Sequence, residues 1–451
     1  MNKKIGFVIT AGHLDIEWYQ PMRSYRFWTI DILKDLQRIS SERPDFPSYL
    51  LDGQVFPLDE YLKIVPEDSA AVSELVQKGI LAIGPFYTQF DEWLPSAEAI
   101  LRNCLYGIRK SEKYGGVVKA GYLPDNFGHP LQLPQILNGF GMDSLMFMRG
   151  MPEIEGGHPD EFIYRGLDGS EVLASHFRES YGGAFDLFNR PLDPIQPRDV
   201  PYYDGYLSYE WHQELARHDN PREIAANMIA NVQRIEKRYP SGVVPLISGY
   251  DHLPPQENIG ECVRIANEMQ DEIEFVIGNP EEYSQAVHQR LNQPAVYSME
   301  LIGSRYHQVL LGALSTRTYL KRQHFAAEAL LEKYTEPLIA MASLQGLLVR
   351  QPLLDEAWIC MMTNSAHDSI HGSSVDEVHV EMEARYAAAR QIAAGLIHDS
   401  LKYIAGQLKP WWKPENKAVI AYAPAGSDQV QLCECWLAIG DQAAVMLDRD
   451  G

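Results

Sequence analysis

The apolar stretch IGFVIT at residues 5–10 is followed directly by AGHLDIEW at residues 11–18. An apolar, β-branched run of this length is typical of a buried strand. Two polar residues, His13 and Asp15, follow at the point where the strand would end. In α/β barrels, catalytic groups sit in the loops after the carboxyl ends of the strands. The stretch therefore predicts a parallel strand that leads into a functional site.

Similar runs recur along the chain as far as about residue 280: LAIGPF (81–86), KAGYL (119–123), SLMFM (144–148), EVLASHF (171–177), VVPLIS (243–248) and IEFVIG (273–278). They alternate with longer helical patterns, which indicates parallel strands joined by crossover helices. Several runs also end in polar clusters, so these side chains are expected to share one site. We therefore predict an α/β, barrel-like domain over residues 1–285.

After about residue 300 the pattern changes to long helices. Two apolar stripes at helical spacing support this change: Ala327, Leu331, Tyr334, Leu338 and Met341, then Val378, Met382, Tyr386, Ala389 and Leu396. With the helical stretch LLDEAWICMMTNS between them, they predict a three-helix bundle over residues 300–410, with a kink at Pro337. Residues 416–451 are again strand-like and predict the start of an incomplete β domain.

The composition limits the classes of partner. Lys and Arg total 39 against 61 Asp and Glu, which argues against nucleic acid or an anionic membrane as the main partner. No apolar stretch approaches the length of a membrane span, and the N-terminal apolar run is too short for a signal peptide. The five cysteines show no paired framework and indicate reduced thiols. We therefore expect a cytoplasmic protein.

Two of the polar clusters carry ligand-type residues. His13 and Asp15 are two apart, so in an extended segment both side chains point to one side and can reach one ion. The alternative for this pair is a solvated loop. Asp125, in GYLPDNFGH at residues 121–129, follows another predicted strand and sits on a turn framed by Pro and Gly. The alternative for Asp125 is a helix cap.

Two further clusters complete the candidates. Asp251, in ISGYDHLPP at residues 247–255, lies between aromatic side chains, where desolvation can raise its pKa as a general acid requires. The alternative is a turn aspartate before two prolines. In NSAHDSIHG at residues 364–372, His367 and His371 are four apart, as in a zincin pair. Gly372 and the serines after it indicate instead that the helix ends here, so we do not expect both histidines to bind one metal.

Taken together, these motifs resemble glycoside hydrolase family 38, the α-mannosidases, and particularly its bacterial, cytoplasmic branch. The resemblance runs in order along nearly the whole chain through GHLDIEW, LLDGQVFPLDEYL, IGPFYTQFDEWLPSAEAILRNCL, YLPDNFGHPLQLPQIL, FMRG, SGYDH, RYHQVLLGALSTRTYLKR and AHDSIHGSSVDEVH. It implies an α/β barrel-like domain, then a three-helix bundle that contributes a metal ligand, then β domains.

Carried over residue by residue, the resemblance implies one divalent zinc ion held by His13, Asp15, Asp125 and His367. It also implies Asp125 as the nucleophile and Asp251 as the general acid/base, although the Tyr-Asp-His setting departs from the paired acids of the eukaryotic branch. Four further residues are expected to contact the sugar or the surroundings of the nucleophile: Trp18, Arg149, Tyr250 and His252.

The reaction implied is hydrolysis of terminal α-mannosides with retention, through a covalent mannosyl-enzyme. The expected partner is a small α-mannoside, and a homo-oligomer is possible. Two alternatives stay open: a metal-dependent carbohydrate deacetylase, which would activate water instead, and an inactive sugar-binding fragment that lacks its C-terminal β domains.

Overall fold

The computed structural model describes residues 3–182, 220–249, 251–252 and 254–407. Ten strands lie in this part of the chain: β1 (Lys4–Thr10), β2 (Tyr49–Leu50), β3 (Leu81–Ala82), β4 (Gly121–Leu123), β5 (Ser144–Phe147), β6 (Glu161–Arg165), β7 (Glu171–His176), β8 (Val243–Ser248), β9 (Ile273–Ile277) and β10 (Val296–Tyr297). They form three hydrogen-bonded sheets.

Most of the pairing between these strands is parallel. β1 lies between β8 and β9 and is parallel to both, and β2 is parallel to β3. The third sheet has the order β10-β6-β7-β5-β4, with β6 antiparallel to β7 and its other pairs parallel. A bridge between Ala11 and Leu50 connects the end of β1 to β2. The carboxyl ends of β1, β2, β3 and β8 therefore lie near one another.

Helices connect the strands and follow them. In the described residues they are α1 (Met22–Glu42), α2 (Phe56–Ile64), α3 (Ser69–Gln77), α4 (Ala97–Tyr114), α5 (Leu133–Gly139), α6 (Pro221–Ile235), α7 (Ile259–Met269), α8 (Pro280–His288), α9 (Thr318–Ala329), α10 (Glu336–Leu344), α11 (Gln351–Asn364), α12 (His367–His371) and α13 (Asp376–Gln407). Local capping explains several starts. The Ser96 side chain accepts from Ala99 N at the start of α4, and Asn279 forms a capping box at α8.

All seven predicted strands are present, which confirms the α/β class. β1 is buried at every residue after Lys4, and β8 is buried throughout. Strands covered on both faces form continuous apolar runs, which is why these two were predictable. β2, β6 and β10 were not predicted, because two residues give no alternation and β6 mixes charged with apolar residues.

The predicted bundle is also present. Three helices pack against α13: α9 and α10, which follow one another along the chain, and α11. Between α9 and α10, residues Leu330–Thr335 form a π-helix rather than a simple kink. Pro337 lacks the N–H that a continuous α-helix would need. The segment predicted to start a β domain, 416–451, lies outside the described residues.

The described helices include none that is both long and apolar enough to cross a membrane. Cys104, Cys262 and Cys360 are free thiols, of which the first two are buried.

Candidate active site

Loops after three strands and one helix of the bundle bring the predicted polar side chains together. His13 and Asp15 follow β1, Asp125 follows β4 and Asp251 follows β8, while His367 is the first residue of α12. His13 and Asp251 form an isolated parallel bridge beyond the β1–β8 ladder, and His252 N donates to His13 O at 2.8 Å. The ladder thus extends into the loops and sets the loop after β8 beside the loop after β1.

Four side chains have the spacing of ligands around one cation. His13 Nε2 lies 3.2 Å from Asp15 Oδ1, and His367 Nε2 lies 3.4 Å from the same oxygen. Asp125 Oδ2 is 4.0 Å from His13 Nε2 and 3.8 Å from His367 Nε2. Bonds of about 2.0–2.1 Å in a tetrahedral zinc site separate the ligand atoms by roughly 3.3 Å. The two distances to Asp15 Oδ1 match that spacing, and the two distances to Asp125 Oδ2 are longer.

The facing atoms of this group lack other partners. Among the described residues, His13 Nε2, Asp15 Oδ1 and His367 Nε2 are buried without any hydrogen bond. Buried polar atoms are nearly always satisfied, so three unsatisfied atoms that face one another require an explanation. Nitrogen and carboxylate oxygen donors in this arrangement suit a divalent transition metal. His13, Asp125 and His367 form one group of candidate ligands, and Asp15 belongs to two groups that overlap with it.

The other nitrogen of each imidazole is held by a residue that the sequence did not single out. His13 Nδ1 lies 3.1 Å from Asp52 Oδ1, and His367 Nδ1 lies 3.0 Å from the carbonyl oxygen of Gln89. Both partners are acceptors, so each Nδ1 carries a proton, and in the neutral ring the Nε2 lone pair faces the group. This is the arrangement in which histidine binds a metal.

The Asp125 carboxylate is paired with Arg149. Arg149 Nε and Nη2 each lie 2.6 Å from Asp125 Oδ1, so the other oxygen, Oδ2, faces the two imidazoles. Arg149 Nη1 also donates to the Gln308 carbonyl oxygen at 2.5 Å, and the guanidinium carbon lies 5.5 Å from the Phe127 ring centroid. Several contacts therefore fix the direction of the carboxylate.

Asp251 has the protonation behaviour of a general acid. Burial raises the pKa of its carboxyl to about 7, and the nearby carboxylates of Asp15 and Asp125 act in the same direction. Tyr181 OH donates to Asp251 Oδ1 at 2.9 Å. A carboxyl group with a pKa near neutrality is suited to proton transfer in both directions.

Asp368 is a second buried carboxyl that sequence reasoning passed over. Its Oδ2 lies 3.7 Å from His367 Nε2, and Ser373 Oγ donates to its Oδ1 at 2.6 Å. Burial raises the pKa of this carboxyl to about 7 as well. Its position directly after His367 in the sequence could have identified Asp368 as a candidate site residue.

The proposed sugar-contacting residues have different surroundings. Trp18 is half-buried, with its ring centroid 4.7 Å from that of Tyr19. His252 is buried between the rings of Tyr25 and Trp28, at centroid distances of 4.5 and 4.6 Å. Tyr250 lies outside the described residues. The contacts of Trp18 and His252 with a sugar stay predictions.

His371 is not part of the ligand group. Its ring stacks on Phe127 at a centroid distance of 4.0 Å. The helix ends there, because Gly372 adopts a left-handed conformation with φ 87°. The interpretation that the helix stops after His371 is confirmed.

A second group of potential ligands comprises His158, Asp160 and His176. Asp160 is already paired with two arginines: Arg178 donates to its Oδ1, and Arg238 Nε lies 3.3 Å from its Oδ2. Two guanidinium charges beside the only carboxylate of the group oppose binding of a cation. We therefore regard this group as structural.

Two family models match the chain. The model of the glycosyl hydrolases family 38 N-terminal domain matches residues 5–300, and the model of the alpha mannosidase middle domain matches residues 306–404. Together they cover the α/β part and the helical bundle.

Individual relatives agree with these models. The crystal structure of an alpha-mannosidase from Enterococcus faecalis V583 is 30% identical, with a TM-score of 0.76 over 90% of this chain and 43% of that chain. A family 38 structure from Enterococcus faecalis is 26% identical, with a TM-score of 0.68 over 90% of this chain and 40% of that chain. The protein named "Putative mannosylglycerate hydrolase" from Halalkalibacterium halodurans is 28% identical over 90% of this chain and 43% of its own length. The chain thus spans less than half the length of these relatives.

Proposed function

Because the chain belongs to glycosyl hydrolase family 38, we propose that it forms the catalytic part of a retaining, metal-dependent α-mannosidase. The observation that carries this proposal is the meeting of His13, Asp15 and Asp125 with His367, whose facing atoms are 3.2 to 4.0 Å apart. Asp251, with a pKa of about 7, belongs to an overlapping group with His13 and Asp15.

We propose zinc as the resident ion. Two imidazoles and two carboxylates offer donors that Zn²⁺ accepts, and the two negative charges balance its charge. When bound, such an ion supplies Lewis-acid chemistry and binds sugar hydroxyl groups. In mannose the axial 2-hydroxyl is cis to the 3-hydroxyl, and this pair suits chelation, which gives a physical reason for a preference for mannosides.

The chain's own carboxyl groups carry the proposed reaction. The Asp125 carboxylate attacks the anomeric carbon while Asp251 donates its proton to the leaving glycosidic oxygen. Asp251, now ionised, then takes a proton from water, which attacks the anomeric carbon and frees Asp125. Arg149 keeps the Asp125 carboxylate oriented during both steps.

The substrate we propose is a small, terminal α-mannoside. The relative named as a mannosylglycerate hydrolase supports a mannoside with a small aglycone. A cytoplasmic location is part of the same proposal, and the free thiols of Cys104 and Cys262 support it.

Covalent trapping tests the nucleophile. Incubation of this chain with a fluorinated α-mannosyl fluoride should add one glycosyl group to Asp125, which mass spectrometry of the proteolytic peptide detects. Release of acetate from acetylated sugars without labelling would replace this proposal with the deacetylase alternative. Binding of mannosides with neither labelling nor turnover would indicate a sugar-binding fragment.

The Asp125→Asn variant tests the same role independently. It keeps the shape of the side chain but removes the anionic nucleophile, so turnover should fall at least about 1,000-fold while the chain still unfolds in a cooperative thermal transition. Asp168→Asn, in an exposed turn, is the control and should retain full activity. Proton NMR of the product should reveal retention of configuration, and inversion would rule out a covalent role for Asp125.

A further inference from the structure

Asp52 adopts an unusual backbone conformation next to the candidate site. It is fully buried with φ 52°, and Gly53 follows with φ 66°. The left-handed region is strained for residues other than Gly, so the surroundings must hold Asp52 there. A Cβ at Gly53 would lie 3.0 Å from the Tyr122 carbonyl oxygen, so the turn packs directly against the backbone of β4.

The Asp52 carboxylate is fully engaged. Its Oδ2 accepts from Leu14 N at 3.0 Å and from Gln54 Nε2 at 2.9 Å, while Oδ1 lies 3.1 Å from His13 Nδ1. A carboxylate only accepts hydrogen bonds, so the proton of a neutral His13 ring resides on Nδ1. Three donors from two loops thus hold one carboxylate, and that carboxylate sets which nitrogen of His13 remains free.

Gln89 connects this turn to the second imidazole. Its side-chain amide donates to the Asp52 carbonyl oxygen and, at 3.0 Å, to the Tyr122 carbonyl oxygen. Its backbone carbonyl accepts from His367 Nδ1, and its backbone N–H donates to Gln54 Oε1 at 3.3 Å. The contacts that orient His13 and those that orient His367 therefore share the same two glutamines.

We propose that Asp52, Gln54 and Gln89 form a positioning network that holds both imidazole ligands of the site in one tautomer and one direction. The inference rests on the proposed metal site and deepens it. A network that served stability alone would not require both Nε2 atoms to face one point, yet both are buried there without a hydrogen bond among the described residues. The network acts through the two rings and touches no substrate.

Zinc affinity of the metal-free chain, measured by competition with a chromophoric chelator, tests the network. Asp52→Asn should weaken Zn²⁺ binding about 10- to 100-fold, as expected for loss of a partner behind a ligating histidine. Gln54→Met keeps the carboxylate but removes the amide that holds it, and should weaken binding about fivefold. It also serves as the second variant if Asp52→Asn does not fold.

Glu328→Gln is the matched control. Glu328 lies 2.8 Å from His324 in the bundle and is as deeply buried as the network, so the variant should lower thermal stability without changing Zn²⁺ affinity. Unchanged affinity in both folded network variants would overturn the inference while the metal site stands. Failure of the unmodified chain to bind Zn²⁺ would instead overturn the metal site itself.

Discussion

At the scale of single residues, two carboxyl groups near the candidate metal site have a raised pKa. Burial raises the pKa of Asp251 and of Asp368 to about 7. Asp251 accepts from Tyr181 OH, whereas Asp368 lies 3.7 Å from the imidazole of His367. We propose proton transfer by Asp251, because its position resembles that of the family's acid/base residue, and kinetics can separate the two.

The leaving group of the substrate distinguishes Asp251 from Asp368 as the acid. Asp251→Asn should slow hydrolysis of alkyl mannosides roughly 100- to 10,000-fold, and of mannosides with a good aryl leaving group far less, because a good leaving group needs no proton. Asp368→Asn should affect both substrates equally. If the dependence on the leaving group appears in Asp368→Asn instead, the acid is Asp368. If each variant loses the same factor on alkyl and on aryl mannosides, the result would point to His252 as the acid.

The sequence indicated the residues that meet in the candidate site, but not Asp52 and Gln89, which hold two of them. His13, Asp15 and Asp125 stand in polar clusters directly after apolar runs, a pattern that is visible without a structure. Asp52 follows a strand of only two residues, which leaves no alternation to read. Gln89 acts on His367 through its backbone carbonyl, for which side-chain identity carries no signal. Whether the site residues have their proposed roles stays a prediction.

At the scale of elements, the π-helix at Leu330–Thr335 explains the one helical stripe that was partly wrong. Ala327, Leu331 and Leu338 are buried as predicted, but Tyr334 and Met341 are 43% and 41% exposed. A π-turn inserts one residue into the helical repeat and rotates the residues beyond it. The stripe in α13 has no such interruption, and its five predicted residues are all buried.

A buried ion pair joins α13 to the loop after β1. Arg385 donates to Glu17 Oε1, and Ser369 Oγ donates to the same oxygen at 2.7 Å. The Glu17 side chain is fully buried, and the Arg385 side chain is 14% exposed. These contacts hold α12, and with it His367, against the loop that carries Asp15.

Removal of the Arg385 side chain should therefore lower the free energy of unfolding. Arg385→Met leaves Glu17 buried without its cation, so the free energy of unfolding should fall by about 3–5 kcal/mol, as measured by urea denaturation. Arg23→Met is the matched control, since Arg23 pairs with Glu381 of α13 at the surface, and it should cost at most about 1 kcal/mol. Similar losses in both variants would contradict a special role for the buried pair.

At the scale of the whole molecule, the candidate metal site lies between the α/β part and the helical bundle. Three of its ligands follow strands, and the fourth begins a helix of the bundle. Only the family resemblance predicted that the bundle supplies a ligand. His367 lies more than 200 residues from the other candidate ligands, so no local sequence pattern links it to them. A bound ion would cross-link the two parts, so its removal should affect the stability of the molecule as well as its activity.

The stability of the protein should therefore depend on the ion. An ion present at about 1,000 times its dissociation constant adds roughly 4 kcal/mol to the free energy of unfolding, so chelation should lower the thermal midpoint and stoichiometric Zn²⁺ should restore it. His367→Ala should bind Zn²⁺ weakly and lose most of this gain. His324→Ala removes another buried histidine of the bundle, one paired with Glu328, and should keep the gain even if its own stability is lower. Chain purified without chelator that contains no metal, and whose midpoint does not respond to Zn²⁺, would refute the site; a full gain in His367→Ala would remove the bundle's ligand from it.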